Sequence, residues 1–249
     1  MGKNVLITGA GSGFGLGAAV ALAARGHEVI ATTENEAQAA QLRSDHPELT
    51  VEVIDITTAD VAKAAGFEVD VLINNAGAGQ WGPMAEVPIE RVRRIFDVNV
   101  FGTLAVTQAV VPQMVKRGSG RVIIVSSIAG VTTGPTVGPY SMTKHALEAM
   151  GKAMRMELAG AGVDVTLLNP GPYNTGFNDA MAASMWEWFD DDALTAEAAP
   201  IYRFVGEAIT ADQLDPAEVV EKMVELVEAD TTEEHNFVPP EIMSQIPQL

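Results

Sequence analysis

The sequence predicts an α/β fold: one doubly wound parallel sheet of about seven strands, with helices on both faces. Three observations carry that prediction. Apolar runs rich in Val and Ile alternate with stretches of helical periodicity, which is how strands buried on both faces and their crossover helices read. The intervening lengths suit right-handed crossovers. The first apolar run passes through a glycine turn directly into an alanine-rich helical stretch, the signature of a strand, a turn and a helix start.

In chain order, strands are expected at Asn4 to Thr8, Glu28 to Thr32, Thr50 to Ile56, Asp70 to Asn74, Arg121 to Ser126 and Asp164 to Leu168, with a short seventh around Asn236 to Val238 at one edge. Two long helices are expected over about Glu90 to Lys116 and Pro139 to Ala159. No Pro/Ser-rich linker or internal repeat divides the 249 residues, so residues 1–249 are expected to form one domain. Gly176 to Leu214 lacks a strand and is rich in Met, Trp and acidic residues; it is the natural lid. Ligands of doubly wound sheets bind beyond the carboxyl ends of the strands.

Composition removes several function classes. The chain has no cysteine, which excludes disulfides, thiolate metal sites and cysteine nucleophiles. Its four histidines are scattered without ligand spacing, so no metal site is expected. A formal charge of −18 repels nucleic acid and anionic lipid, which require a basic surface. No apolar run of bilayer length and no signal peptide is evident, and Leu6 stands where a myristoylation motif wants Ser or Thr. The expectation is a soluble cytoplasmic protein without nucleic-acid or membrane partners.

The glycine turn spans Thr8 to Gly15. A strand-to-helix junction aims unpaired N–H groups and the positive end of a helix dipole at one point, which suits a diphosphate. Far downstream, Tyr140 and Lys144 are spaced by one helical turn and share a helix face. A nearby ammonium stabilises a phenolate, so Lys144 is expected to lower the Tyr140 value and make it a usable proton acceptor. Loss of a carbinol proton to Tyr140 frees a hydride for a nicotinamide, and in reverse the phenol protonates a nascent alkoxide. Ser127, at the end of a neighbouring strand, can donate to the same substrate oxygen.

The glycine spacing G-x-x-x-G-x-G, at Gly9, Gly13 and Gly15, resembles that of the short-chain dehydrogenase/reductases, and the similarity extends over nearly the whole chain. The other matching motifs are Asn74-Asn75-Ala76-Gly77, Asn99 in Asp97-Val98-Asn99-Val100, Ser127, Tyr140-Ser141-Met142-Thr143-Lys144, and Pro170-Gly171 followed by Thr175. The resemblance implies a Rossmann-like fold and catalytic roles for Asn99, Ser127, Tyr140 and Lys144. Asn99 would help hold a water chain from Lys144 to solvent, and Lys144 would also bond the nicotinamide ribose. It implies a cofactor site at Gly9, Ser12, Gly13, Phe14, Gly15, Asn75, Ala76, Gly77, Tyr140, Lys144, Pro170, Gly171 and Thr175, with Asp55 and Ile56 contacting adenine. For Thr175 two readings stand, a helix cap or a bond to the nicotinamide carboxamide. Family members usually assemble as dimers or tetramers through the two long helices; a homotetramer or homodimer is expected.

Cofactor choice rests on Glu34. NADP users in the family often carry arginine there, and NAD users often carry aspartate at the preceding position, here Thr33; this chain has neither. A carboxylate at Glu34 would accept from ribose hydroxyls and repel a 2′-phosphate, so NAD is expected over NADP, unless Glu34 points into solvent. Trp81, Tyr173, Trp186 and the methionines and aromatics from Met181 to Phe189 either line a pocket for a hydrophobic secondary alcohol or ketone or pack the lid onto the sheet. With no basic residue between Arg155 and Arg203, a neutral substrate is favoured. Two rival readings are disfavoured. A halohydrin dehalogenase on the same fold is disfavoured by the intact glycine turn and Lys144, and a dinucleotide-sensing protein without catalysis by the full set of four candidate residues.

Overall fold

The computed structural model describes residues 2–245. Seven strands form one sheet in the order β3-β2-β1-β4-β5-β6-β7, and every pairing is parallel. The strands are β1 (Asn4–Ile7), β2 (Glu28–Thr33), β3 (Thr50–Val53), β4 (Val71–Asn74), β5 (Gly120–Val125), β6 (Val163–Pro170) and β7 (His235–Val238). The helices are α1 (Gly13–Ala24), α2 (Glu36–Asp45), α3 (Ile89–Phe96), α4 (Thr103–Arg117), α5 (Gly138–Leu158), α6 (Phe177–Ala183), α7 (Ala199–Ala211) and α8 (Ala217–Glu228).

The period of two along each strand divides the core into two layers. Val5, Ile7, Val71, Ile73, Ile123 and Val125 face α1, α2 and α8, where Leu22, Leu42 and Met223 receive them. Leu6, Leu72, Val122, Ile124, Val165 and Leu167 face α4 and α5, against Val106, Val110, Met114 and Leu147. Strand order reverses between β1 and β4, and the crevice at such a switch point is where this architecture binds ligands.

Two boundaries differ from the sequence reading. β3 ends at Val53 instead of Ile56, because Ile54 to Thr57 leave the ladder: Ile54 N–H still bonds the Thr33 carbonyl at 3.0 Å, and the Asp55 carboxylate turns back onto Thr57. The long middle helix is continuous from Ile89 to Arg117 but passes through a π-helical turn at Asp97–Gly102. That helix is long and apolar enough to cross a membrane by length and composition, contrary to the expectation of no such run. Its apolar face is instead spent on the sheet, with Val106, Val110 and Met114 buried against β4 and β5.

Candidate active site

The carboxyl ends of β1 and β4 are locked to each other before any ligand is considered. Thr8 Oγ1 accepts from the Asn75 and Ala76 N–H groups at 3.0 and 3.1 Å, and Asn75 Nδ2 donates to the Thr8 and Gly9 carbonyls at 3.0 Å each. Gly9 holds φ +67°, and a Cβ there would lie 2.7 Å from Ala76 Cα, so glycine is required for both conformation and approach. Gly13, at φ +56°, opens α1. Ser12 caps this helix without a side-chain hydrogen bond, and the first-turn N–H groups of a helix have no internal partner. The loop is thus a ready anion cradle, and it fits a dinucleotide diphosphate.

From this cradle a cleft of about 620 Å³ runs along the ends of the strands. Among the anticipated cofactor residues, Gly9, Ser12, Gly13, Phe14, Glu34, Asp55, Ile56, Asn75, Ala76, Gly77, Pro170, Gly171 and Thr175 line it, together with Ser127, Tyr140 and Lys144. Gly15 lies just behind, where a Cβ would come 2.5 Å from Asn75 Nδ2. Glu34 is exposed at the cleft edge, its N–H bonded to Gln38 Oε1 at 3.3 Å. Thr175 Oγ1 weakly accepts from Phe177 N–H at 3.4 Å at the start of α6 while lining the cleft.

Tyr140 and Lys144 sit near the start of α5 and are 7% and 4% exposed. Ser127, which lines the same cleft as Tyr140, follows β5 and caps a short 3₁₀ turn by accepting from Ala129 N–H at 3.1 Å. Lys144 Nζ lies 5.5 Å from the Tyr140 ring centroid and donates to the Val125 carbonyl at 2.9 Å. Asn99, wholly buried in the π turn, accepts from Ala78 N–H at 2.7 Å and donates to the Ala78 carbonyl and Thr143 Oγ1 at 2.9 Å each. Its side chain therefore staples the loop after β4 to α5 and holds the floor on which Lys144 stands.

The electrostatics correct one expectation. Burial pushes the Tyr140 phenol well above its ordinary value, and only Ser127 pulls it back. The Lys144 ammonium is itself desolvated: burial pushes it down to about 8, against a raising influence from Glu148.

Of the three aromatic substrate candidates, Trp81 shares an apolar cluster with Tyr140, Tyr173 lines the cleft with it, and Trp186 packs partly buried against that cluster. Trp81 is 1% exposed, packed with Tyr140, Met181, Met185 and Phe189, and Ser184 Oγ accepts from its backbone N–H at 2.9 Å. Tyr173 touches the cleft but packs edge-on against Phe14 and donates its hydroxyl to Glu218 at 2.7 Å. Trp186 stacks under Arg203, whose guanidinium carbon lies 3.9 Å from a ring centroid, in a separate hollow between α6 and α7. Residues that the sequence reading missed also line the cleft: Gln38, one turn beyond Glu34; Arg94 and Val98, one turn apart on the middle helix; and Phe177, whose ring centre lies 5.6 Å from that of Tyr140. The i,i+4 spacing was available as a signal for the first three; nothing in the sequence singled out Phe177.

Residues 3–186 match the family described as short chain dehydrogenase. This chain belongs to the short-chain dehydrogenase/reductase family. It is 37% identical over 237 residues to the oxidoreductase YusZ of Bacillus subtilis, covering 90% of this chain and 84% of that one. It is 36% identical over 187 residues to the NADPH-dependent 3-dehydrocapnine reductase of Ornithobacterium rhinotracheale, covering 70% and 66%. A short-chain dehydrogenase/reductase from Burkholderia phymatum, solved in complex with NAD, superposes with a TM-score of 0.81 at 26% identity over 98% of this chain and 91% of that one. Membership makes the chain an oxidoreductase, and it accounts for the order in which the glycine turn, Asn99, Ser127, Tyr140 and Lys144 occur.

Proposed function

We propose that this chain is an NAD-dependent dehydrogenase/reductase that interconverts a neutral, hydrophobic secondary alcohol and its ketone, with Tyr140 as the acid/base. The observation that carries the reading is one arrangement: Tyr140 and Ser127, with buried Lys144 one turn along, in the same cleft that the glycine cradle opens. A bound nicotinamide dinucleotide supplies the hydride donor or acceptor. Ser127 orients the substrate oxygen through its hydroxyl, and Tyr140 gives a proton to that oxygen in reduction or takes one from it in oxidation. Burial of the phenol favours its protonated form, so the free enzyme is poised as an acid, for ketone reduction. Asn99 keeps the loop after β4 and α5 in register, and with them Lys144. The acid and base roles both require water to be kept out, which the lid helix α6 does by laying Phe177 against Tyr140.

Neutral, apolar substrates are supported by the lid's composition: Phe177 against Tyr140, backed by Met181, Met185 and Phe189. For NAD, the support is the Glu34 carboxylate on the cleft edge, which would repel a 2′-phosphate. Arg94 lines the same cleft and favours a second reading, NADP; the relatives include both an NADPH-dependent enzyme and an NAD complex. The reading includes a soluble, cytoplasmic enzyme that works as a homotetramer or homodimer.

The test is steady-state turnover of a panel of cyclic, aromatic and steroid-like ketones and alcohols with each dinucleotide. The wild type is expected to favour NAD in kcat/KM. Tyr140→Phe is expected to lose at least about a hundredfold in kcat while still binding dinucleotide. Turnover that survives in Tyr140→Phe would overturn the acid/base role, and a preference for NADP would hand the cofactor to the second reading.

A further inference from the structure

Behind Tyr140 and Lys144 lies a polar cluster that the reaction as derived does not use. Glu148 stands one turn beyond Lys144 on the same face of α5 and is 4% exposed. Its Oε1 accepts from Asn169 Nδ2 at 2.6 Å, and its Oε2 meets His235 Nε2, on β7, at 2.8 Å. Asn169 Nδ2 also donates to the Ser127 carbonyl at 3.2 Å, so the cluster touches the catalytic serine as well as the catalytic helix. Gly130 makes room for it: a Cβ there would lie 3.0 Å from Glu148 Oε1 and 2.6 Å from Ser126 Oγ.

A buried carboxylate is costly unless it is paired and hydrogen-bonded. Asn169 and His235 supply the hydrogen bonds, and Lys144, the next polar group along the helix face, is the cation that gains from its charge. His235 has one other charged neighbour among the described residues, Glu234, whose Oε1 lies 3.4 Å from Nδ1. His235 also stacks on Phe237 at 5.7 Å and sits opposite Leu167 of β6. Lys144 faces Tyr140 on its own helix and the Val125 carbonyl on β5.

We propose that Glu148 is a positioning residue for Lys144: its buried carboxylate, held by Asn169 and His235, keeps the Lys144 ammonium charged and in place beside Tyr140. Without it, burial would lower Lys144 further, toward the neutral amine, which would neither support a phenolate nor bind hydroxyls as a cation. The inference rests on the catalytic reading of Tyr140 and Lys144. It is supported by the direction in which Glu148 moves Lys144, upward against desolvation.

The experiment reads Lys144 directly, without substrate. The purified protein is trace-acylated with acetic anhydride across pH, and the ionisation midpoint of the Lys144 amine is read by mass spectrometry. Glu148→Gln, which keeps shape and hydrogen bonds but not charge, is expected to lower the midpoint by about one pH unit; Glu148→Asp, which keeps the charge, is expected to restore most of it. His235→Lys places a fixed cation against Glu148 from the partly exposed β7 side and is expected to lower the midpoint too. His235→Gln, a neutral donor, is expected to leave it near the wild-type value. The alkaline limb of the kcat/KM profile for ketone reduction is expected to move with the midpoint. A folded Glu148→Gln or His235→Lys protein with an unshifted midpoint overturns the proposal. If the midpoint moves but no variant, nor the wild type, turns over a secondary alcohol or ketone, the coupling stands and the catalytic reading is what has failed.

Discussion

Lys144 shows how far residue-level physics is fixed by a sequence and where three-dimensional packing takes over. Spacing alone put its ammonium on the face of Tyr140, and the structure agrees. Spacing did not reveal that both groups are almost fully buried, so the sign of the effect on Tyr140 was misread: desolvation outweighs attraction. This has a measurable consequence for stability. The Lys144 value is about 8 in the fold against 10.5 for the free side chain. Below about pH 8 both folded and unfolded chains bind the proton, and the fold bears the whole cost of burying the charge. Between about 8 and 10.5 the unfolded chain binds more protons, so stability rises with pH. Lys144→Met lacks this titration. Chemical denaturation of both proteins across pH 7 to 10.5 is expected to show the balance moving toward the wild type by about 3 kcal/mol at most; a flat difference would mean that Lys144 titrates normally. Glu148, which resists that shift, was invisible in sequence because its partners Asn169 and His235 lie on other elements and are far off in the chain.

At the scale of elements, strands and their order were legible because a strand buried on both faces has to be a near-continuous apolar run. The glycine turn was legible because positive φ and close approach leave few other residues possible. The π turn was not, since six residues inside a helix carry no distinct periodicity, although it is what aims Asn99 at Ala78 and Thr143. Gly176 to Leu214 holds no strand and folds around α6 and α7, but bulky apolar residues suit a pocket and a core equally: Trp81 is buried, while Trp186 lines a hollow under Arg203. What seats the lid is polar. The Glu86 carboxylate accepts from Leu194 N–H at 2.6 Å, from Thr195 N–H at 3.2 Å and from the Thr195 hydroxyl, and Arg91 pairs with Glu187 at 2.8 Å. Below them Trp188 fills the space over Gly82, where a Cβ would come within 2.5 Å. Hydrogen bonds to a charged group contribute roughly 1.5–3 kcal/mol when shielded and less when half-exposed. Glu86→Ala is therefore expected to speed limited proteolysis within residues 190–195 by about tenfold and to raise KM for substrate more than it lowers kcat. Unchanged cleavage would mean that the apolar contacts alone hold the lid down.

At the scale of the whole molecule, the surface opposes two tendencies. A formal charge of −18 favours separate chains through self-repulsion, yet the helices flanking the site expose large apolar side chains. Phe101 and Val115 on the middle helix are 59% and 41% exposed, and Met142 and Met156 on α5 are 43% and 75% exposed. Exposed apolar area of this extent, on two long helices that lie against each other through the π turn, is what a subunit interface buries. Assembly through these faces would also brace α5 from outside, the element that carries Tyr140, Lys144 and Glu148. Two-fold packing places each patch against its own copy, so one substitution acts twice per interface. Phe101→Glu is expected to dissociate a tetramer or dimer into smaller species by light scattering, with activity falling along with mass. Because the chains carry like charge, the wild-type assembly is expected to tighten as ionic strength rises and screens the repulsion. A wild-type protein that scatters as a monomer at both low and high salt would leave those side chains without an interface to fill.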